Sequence, residues 1–156
     1  MKVAYQKHII SLCLLFSLGA CSYQEYFTVF NETASPITLE YEIEVPATGF
    51  AIFDNGLRAY SLNKKSEIDW NRVQEVLDTD SARVLVKVTI PPKSAFIFGS
   101  LSNDKYVKHT QYFINGRSFN MKQMDVKMIN KGFQVTKHSF DDYFKKENGH
   151  IALRLN

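Results

Sequence analysis

The residues able to do chemistry are few and scattered. Beyond residue 21 the histidines are His109, His138 and His150, at spacings that put no two on one helical face. Zinc requires three or four converging ligands, so only the folded chain can bring these together, and read singly each is an ordinary surface or packing residue. Asp141 and Asp142 are adjacent, and neighbours on a helix diverge instead of forming an acid–base pair. Their plainer role is favourable charge in a first helical turn. Asp78-Thr79-Asp80-Ser81 offers oxygens to Ca²⁺ but lacks the glycine and distal glutamate of an EF-hand loop. Ser139 follows His138 but reads better as a helix cap than as a nucleophile. There is no His-Glu-x-x-His, no Gly-x-Ser-x-Gly, no glycine-rich phosphate loop and no Cys-x-x-Cys. The expectation is a protein that is not an enzyme, with no metal and no cofactor.

One cysteine is different. Met1 to Lys7 carries Lys2 and Lys7 without an acid, and Ile9 to Leu18 is an apolar run broken only by Ser11 and Ser17. As a helix at ~1.5 Å per residue this run falls far short of a ~30 Å hydrocarbon core, so it is too short for a permanent span. Leu18-Gly19-Ala20-Cys21 follows. A basic start, a short apolar run and this box resemble the targeting segment of bacterial lipoproteins, a likeness confined to that segment. The resemblance implies cleavage before Cys21, lipidation of its thiol and acylation of the new N-terminus. One chain holds a membrane only marginally, whereas several hold it stably. It also implies, in a diderm that sorts by the residue after the cysteine, that Ser22 directs the protein to the outer membrane. The expected divisions are a leader over 1–20, a short tether over 21–25 and one domain over 26–156.

Removal of the leader changes the charge arithmetic. The whole chain of 156 residues carries 19 basic and 16 acidic residues, a net of +3, but the leader takes two lysines and no acid, leaving +1. Nucleic-acid binding thereby loses the basic footprint it requires. Cys13 departs as well, so neither a disulfide nor a cysteine-ligated metal remains available. What remains is uneven: residues 21–82 hold 4 basic and 11 acidic residues, and residues 83–156 hold 13 basic and 5 acidic. Two readings stand. Outward Glu40, Glu42 and Glu44 can pair across strands with Arg83 and Lys87, which helps register by ~0.2–1 kcal/mol per pair. Alternatively Lys122, Lys127, Lys131, Lys137, Lys145 and Lys146 form a basic face for anionic lipid, peptidoglycan or an acidic partner.

The elements that would position these residues are mostly strands. From Ile37 to Val45, Ile, Leu, Tyr, Ile and Val alternate with Thr and three Glu, the period of a half-buried strand. Tyr26–Phe30 precedes it across a turn-forming stretch. Further strands are expected at Phe50–Phe53, Leu57–Tyr60, Ala82–Ile90, Ala95–Phe98, Met124–Ile129, Phe133–Thr136 and Ile151–Leu155. Asn115-Gly116 between Tyr106–Ile114 and Arg117–Met121 predicts a tight hairpin. Two short helices are expected, one opened by Ser66 with Trp70, Val73 and Leu77 on a face, the other opened by Ser139 with Asp142. Many short strands with regular turns predict an all-β, antiparallel β-sandwich, Ig-like or transthyretin-like, with two short helical insertions.

The expected function follows from the address more than from any site. It is a membrane-anchored envelope lipoprotein, held by lipid on Cys21, that binds or scaffolds an envelope protein or peptidoglycan, with no nucleic-acid partner. The alternatives are a small-molecule or lipid binder with a cavity between the sheets, and a cell-wall enzyme or its inhibitor, for which hydrolysis would need two carboxylates at a suitable separation.

Overall fold

The computed structural model describes residues 23–46, 49–74, 77–81 and 84–156; residues 1–20, expected as a leader, together with Cys21, Ser22 and Arg83 lie outside the described residues. The strands are β1 (Gln24–Asn31), β2 (Ile37–Ile43), β3 (Phe53–Leu62), β4 (Ile68–Gln74), β5 (Leu77–Ser81), β6 (Leu85–Ile90), β7 (Ser94–Ser102), β8 (Met121–Lys127), β9 (Gly132–Thr136), β10 (Lys145–Glu147) and β11 (His150–Leu155). They form two sheets, ordered β10-β11-β1-β7-β3-β4 and β5-β6-β2-β8-β9. The expected all-β sandwich is what the chain adopts. All pairings are antiparallel except β1 with β11, which is parallel.

Alternation builds the five-stranded sheet. Ile37, Leu39, Tyr41 and Ile43 of β2 are buried, as are Val86, Val88 and Ile90 of β6 and Met124 and Val126 of β8, while the residues between them face solvent. In the six-stranded sheet β1 and β7 are buried almost throughout, because they are central and covered on both faces. Their inner side meets an aromatic core in which Phe27 and Phe53 stand edge-to-face at 4.9 Å and Phe140 stacks on Phe144 at 4.2 Å. Their outer side carries a second small cluster of Phe30, Ala95 and Ala152 under Leu62 and Ile68.

Four expectations need correction. The helix over Ser66–Leu77 is instead strand β4 followed by β5. Ser66 has φ 59°, a left-handed corner that an N-cap does not use, and Asn63 Oδ1 accepts the N–H groups of Lys65 and Glu67 at 2.8 and 3.1 Å to close a β3–β4 hairpin. The second short helix forms, as the single turn Phe140–Tyr143, but Ser139 does not cap it: its Oγ accepts the Thr136 N–H at 2.9 Å. The Asn115-Gly116 hairpin does not form either. Residues 103–120 are an irregular loop with one 3₁₀ turn, Ile114–Gly116, and they plug an open end of the sandwich with buried Tyr106, Phe113 and Phe119. Their polar backbone is satisfied by buried side chains in place of a strand ladder: Asp104 accepts the Ile114 N–H at 2.8 Å and Glu25 accepts the Tyr106 N–H at 2.6 Å. Of the residues 21–25 expected as a tether, Gln24 and Glu25 belong to β1, and Glu25 is fully buried.

Candidate functional site

The outer face of the six-stranded sheet bears a cleft of about 690 Å³. One side is aromatic. Trp70 projects from β4 and meets Tyr60 of β3 at 5.2 Å, Tyr26 of β1 at 5.4 Å and His150 of β11 at 6.3 Å, centroid to centroid. Four strand spacings of about 4.8 Å separate β4 from β11 in a flat sheet. The indole must therefore reach back over β3 and β7, and the sheet must curl toward it. Trp70 remains 48% exposed, so much of it faces the cleft and solvent.

The other side is cationic and polar. Arg58 on β3 and Arg117 on the 103–120 loop line the cleft with Gln24, Ser100 and the Phe50–Ile52 segment. Among the described residues neither guanidinium meets a carboxylate. Gly99 of β7 forms part of the floor, and a Cβ there would lie 2.8 Å from the Phe53 ring, so only glycine lets β3 approach this closely. The Phe50–Ile52 wall is pinned by buried Asn120, whose Oδ1 accepts the N–H groups of Ile52 and Phe53 at 3.2 and 2.9 Å and whose Nδ2 donates to Glu44 O and Phe53 O at 3.1 and 3.0 Å. Chemically, the cleft offers aromatic faces for stacking beside two guanidiniums that meet no acid among the described residues, and guanidiniums favour planar anions such as carboxylates.

His150 lies beyond Trp70 and Tyr26, its Nδ1 2.9 Å from Thr28 Oγ1. Burial holds its pKa below the ordinary imidazole value; nearby Glu147 opposes the shift and Arg154 adds to it.

A second cluster joins Tyr106, His109 and Asp141. The Tyr106 hydroxyl donates to Asp141 Oδ1 at 2.5 Å, and His109 Nδ1 lies 2.7 Å from Asp141 Oδ2. Burial pushes the Asp141 carboxyl up, but the hydrogen bonds from Tyr106 and His109 outweigh it and leave the pKa below the usual range. The Tyr106 phenol is raised, first by burial and then by Asp141. A carboxylate orienting a histidine is half of a nucleophilic site, yet no hydroxyl or thiol joins His109 among the described residues. The cluster works as a latch, tying the 103–120 loop to the helical turn. Glu25 makes a second latch. Burial pushes its carboxyl up, but Lys146, the Tyr23 hydroxyl at 2.5 Å and the Tyr106 N–H hold it below the ordinary value.

The six lysines do not form one face. Lys122 and Lys127 lie on β8 with Lys137 just past β9, and these three reach Glu42, Glu40 and Glu44 on or just beyond β2 at 2.7, 3.3 and 3.9 Å. Cross-strand pairing thus absorbs them, with β8 supplying the lysines and Lys87 of β6 standing opposite Glu40. Lys131 sits exposed in the β8–β9 turn. Lys145 and Lys146 belong to β10 in the other sheet, where Lys145 donates to Asp141 O at 2.7 Å and Lys146 pairs with Glu25. Cys21 lies outside the described residues, and the side chains of Asp78 and Asp80 are not described. Among the described residues no three histidine, cysteine or acidic side chains converge on a metal site, and no helix is long and apolar enough to cross a membrane.

Reading the sequence placed Trp70 on the packing face of a helix it does not form, and missed it together with Arg58, Arg117, Tyr26 and Tyr60 as site residues. The available signal was Ile68, Trp70, Arg72 and Gln74 against Asp69, Asn71 and Val73, an alternation that places Trp70 on the same face as the sheet-covering Ile68. Comparison with protein-family models, with curated proteins and with solved structures finds no match.

Proposed function

We propose that this chain is a lipid-anchored lipoprotein of a bacterial envelope, held through Cys21, whose sandwich is a binding module. Its ligand seat is the cleft beneath Trp70, and the ligand is an acidic glycan such as a carboxylate-bearing stretch of peptidoglycan. The observation that carries this reading is the pairing of an open aromatic wall with Arg58 and Arg117, neither of them neutralised by an acid among the described residues. Sugar rings present a face of C–H groups that stacks on an indole or phenol, and a guanidinium takes a carboxylate through two parallel hydrogen bonds. A small cleft with a few polar groups set in an aromatic lining is the usual form of a small-ligand site. The space between the sheets, by contrast, is occupied by interlocking aromatic and aliphatic side chains.

Trp70 is the only tryptophan, so the ligand reports its own binding. Titrating the protein with soluble peptidoglycan fragments shifts and changes the indole emission, whereas neutral chitin oligosaccharides of equal length give a weaker response. Arg58→Ala and Arg117→Ala each weaken the acidic ligand by roughly tenfold or more, the value of a charged hydrogen bond at about 1.5–3 kcal/mol. Binding that survives loss of both arginines and of Trp70 refutes the assignment. In-cell crosslinking that returns one abundant envelope protein, lost in Cys21→Ala, would turn the module into an adaptor for that protein.

A further inference from the structure

The two sheets place a distinctive set of loops at one end. β1, β3 and β11 run away from it and β7 runs toward it, while β2 runs toward it and β6 and β8 run away. Backbone hydrogen bonds tie the loops together there: Asn103 N–H to Tyr23 O at 2.8 Å, Ile43 N–H to Val84 O at 2.8 Å, Glu44 N–H to Asn120 O at 2.7 Å and Ser118 N–H to Phe50 O at 2.8 Å. Large apolar side chains stand exposed on these loops. Tyr112 is 88% exposed, Val107 77% and Val45 63%, with Ile114 beside them at 50%. The opposite end, among the described residues, exposes one comparable side chain, Ile129.

The longest loop of this end is basic. From 103 to 119 the loop carries Lys105, Lys108 and Arg117 against a single acid, Asp104, which is buried and engaged by the Ile114 N–H. Lys105 stands 5.6 Å above the Tyr23 ring. Tyr23 follows Cys21 by two residues, so at ~3.3–3.6 Å per residue its Cα lies within ~7 Å of the Cys21 Cα. A lipid on Cys21 leaves this end no room to stand off the bilayer.

We infer that the end of the sandwich bearing Val45, Val107, Tyr112, Ile114, Lys105 and Lys108 docks on an anionic lipid surface, a reading that rests on lipidation of Cys21. Tyrosine and aliphatic tips enter the headgroup region while the lysines meet lipid phosphates. The anchor supplies attachment and the loops supply orientation. The domain then stands with β1 pointing away from the membrane, and the outer face that bears the cleft rises beside the bilayer instead of lying under it.

The test uses the full-length protein purified with its lipid and placed in phosphatidylglycerol nanodiscs carrying brominated acyl chains, which quench nearby indoles. Trp70→Phe provides a dark background into which Tyr112→Trp or Ile129→Trp is introduced, both at highly exposed positions that tolerate the change. Intact mass first reports whether Cys21 carries diacylglycerol; a mass without lipid overturns the anchor and the docked pose with it. With lipid present, Tyr112→Trp is quenched roughly twofold or more and Ile129→Trp is not, as depth in the interface requires. Lys105→Glu with Lys108→Glu reduces the quenching at 112. Equal quenching at the two positions, or none at 112 in lipidated protein, overturns the docked orientation while leaving the anchor standing.

Discussion

Asn120 is the most informative single residue to remove. Its amide makes four hydrogen bonds to three backbone residues in two segments: Glu44 beyond β2, and Ile52 in the cleft wall with Phe53 at the start of β3. Ile52 N–H keeps a second partner, Ser118 O at 3.1 Å, when the side chain is truncated. Phe53 N–H, Phe53 O and Glu44 O lose the amide outright in a region where Asn120 itself is 2% exposed. At about 1 kcal/mol for each such net bond, Asn120→Ala costs about 3 kcal/mol. For a domain of this size that lowers Tm by about 10 °C, and the urea midpoint falls with no change in slope. Asn120→Asp separates the donor half from the acceptor half. It keeps both acceptor bonds but turns a carboxylate toward Glu44 O and Phe53 O, so its destabilisation is larger at neutral pH than in mild acid. The cleft responds too, because the Phe50–Ile52 wall is freed, and acidic-glycan affinity falls in protein that is still folded. A loss below about 1 kcal/mol for Asn120→Ala would mean that water replaces the amide at no cost and that the clamp holds nothing.

Other substitutions test other parts of the scaffold. Gly99→Ala drives a Cβ against the Phe53 ring at 2.8 Å and Ile52 O at 3.1 Å; a loss of about 1–3 kcal/mol in denaturant unfolding is expected, with weaker ligand binding at the cleft floor. Trp70→Ala abolishes ligand stacking yet costs little stability because the ring is half exposed, so binding and unfolding measurements must diverge. Glu25→Gln removes the charge that Lys146 and Tyr23 answer and costs about 1.5–3 kcal/mol. Because the Glu25 pKa is lowered on folding, its contribution is full above the ordinary glutamate range and disappears as pH falls through the folded value, so the variant flattens the acid limb of the stability profile. His150 is also depressed on folding. The unfolded chain takes up its proton first, near pH ~6.5, so stability is full above that value and declines as pH falls toward the folded one. His150→Gln removes that slope in a Tm-against-pH series.

The strands that could be read from the sequence are those whose environment is one-sided. β2 alternates because one face meets the core and the other meets water, and β6 alternates nearly as well. The reading failed where burial is not one-sided. β4 is an edge strand with most of its side chains exposed, so Trp70, Val73 and Leu77 form an apparent helical stripe that no packing surface enforces. Residues 103–120 carry aromatics needed to close an end of the sandwich, and those are placed by three-dimensional demand and not by period. Asn115-Gly116 favours a tight turn locally, but buried Asp104 and Glu25 take the backbone N–H groups that a hairpin ladder would have used. The cleft could not be seen in advance because its residues come from β1, the 50–52 segment, β3, β4, β7 and the 103–120 loop, and only the curl of the sheet brings Trp70 to Tyr26. Composition counts charges without placing them and so left two readings of the lysines standing; β2 and β8 lie side by side and cancel most of theirs, which is the pairing reading.

The parallel contact of β1 with β11 sets an order of events. Tyr26 faces His150 and Asn31 faces Leu155 across that ladder, so the first strand waits for the last. A chain emerging N-terminus first can fold the five-stranded sheet and seat β7 against β1 while one flank of β1 is still open. Closing a loop of this length costs several RT in entropy before any contact repays it, and nonlocal pairing of this kind slows folding. The domain therefore stays incomplete, with an unpaired strand edge, until residues 150–155 are available. Deleting β11 would leave that edge exposed in the finished protein, as a surface on which any extended peptide could add itself.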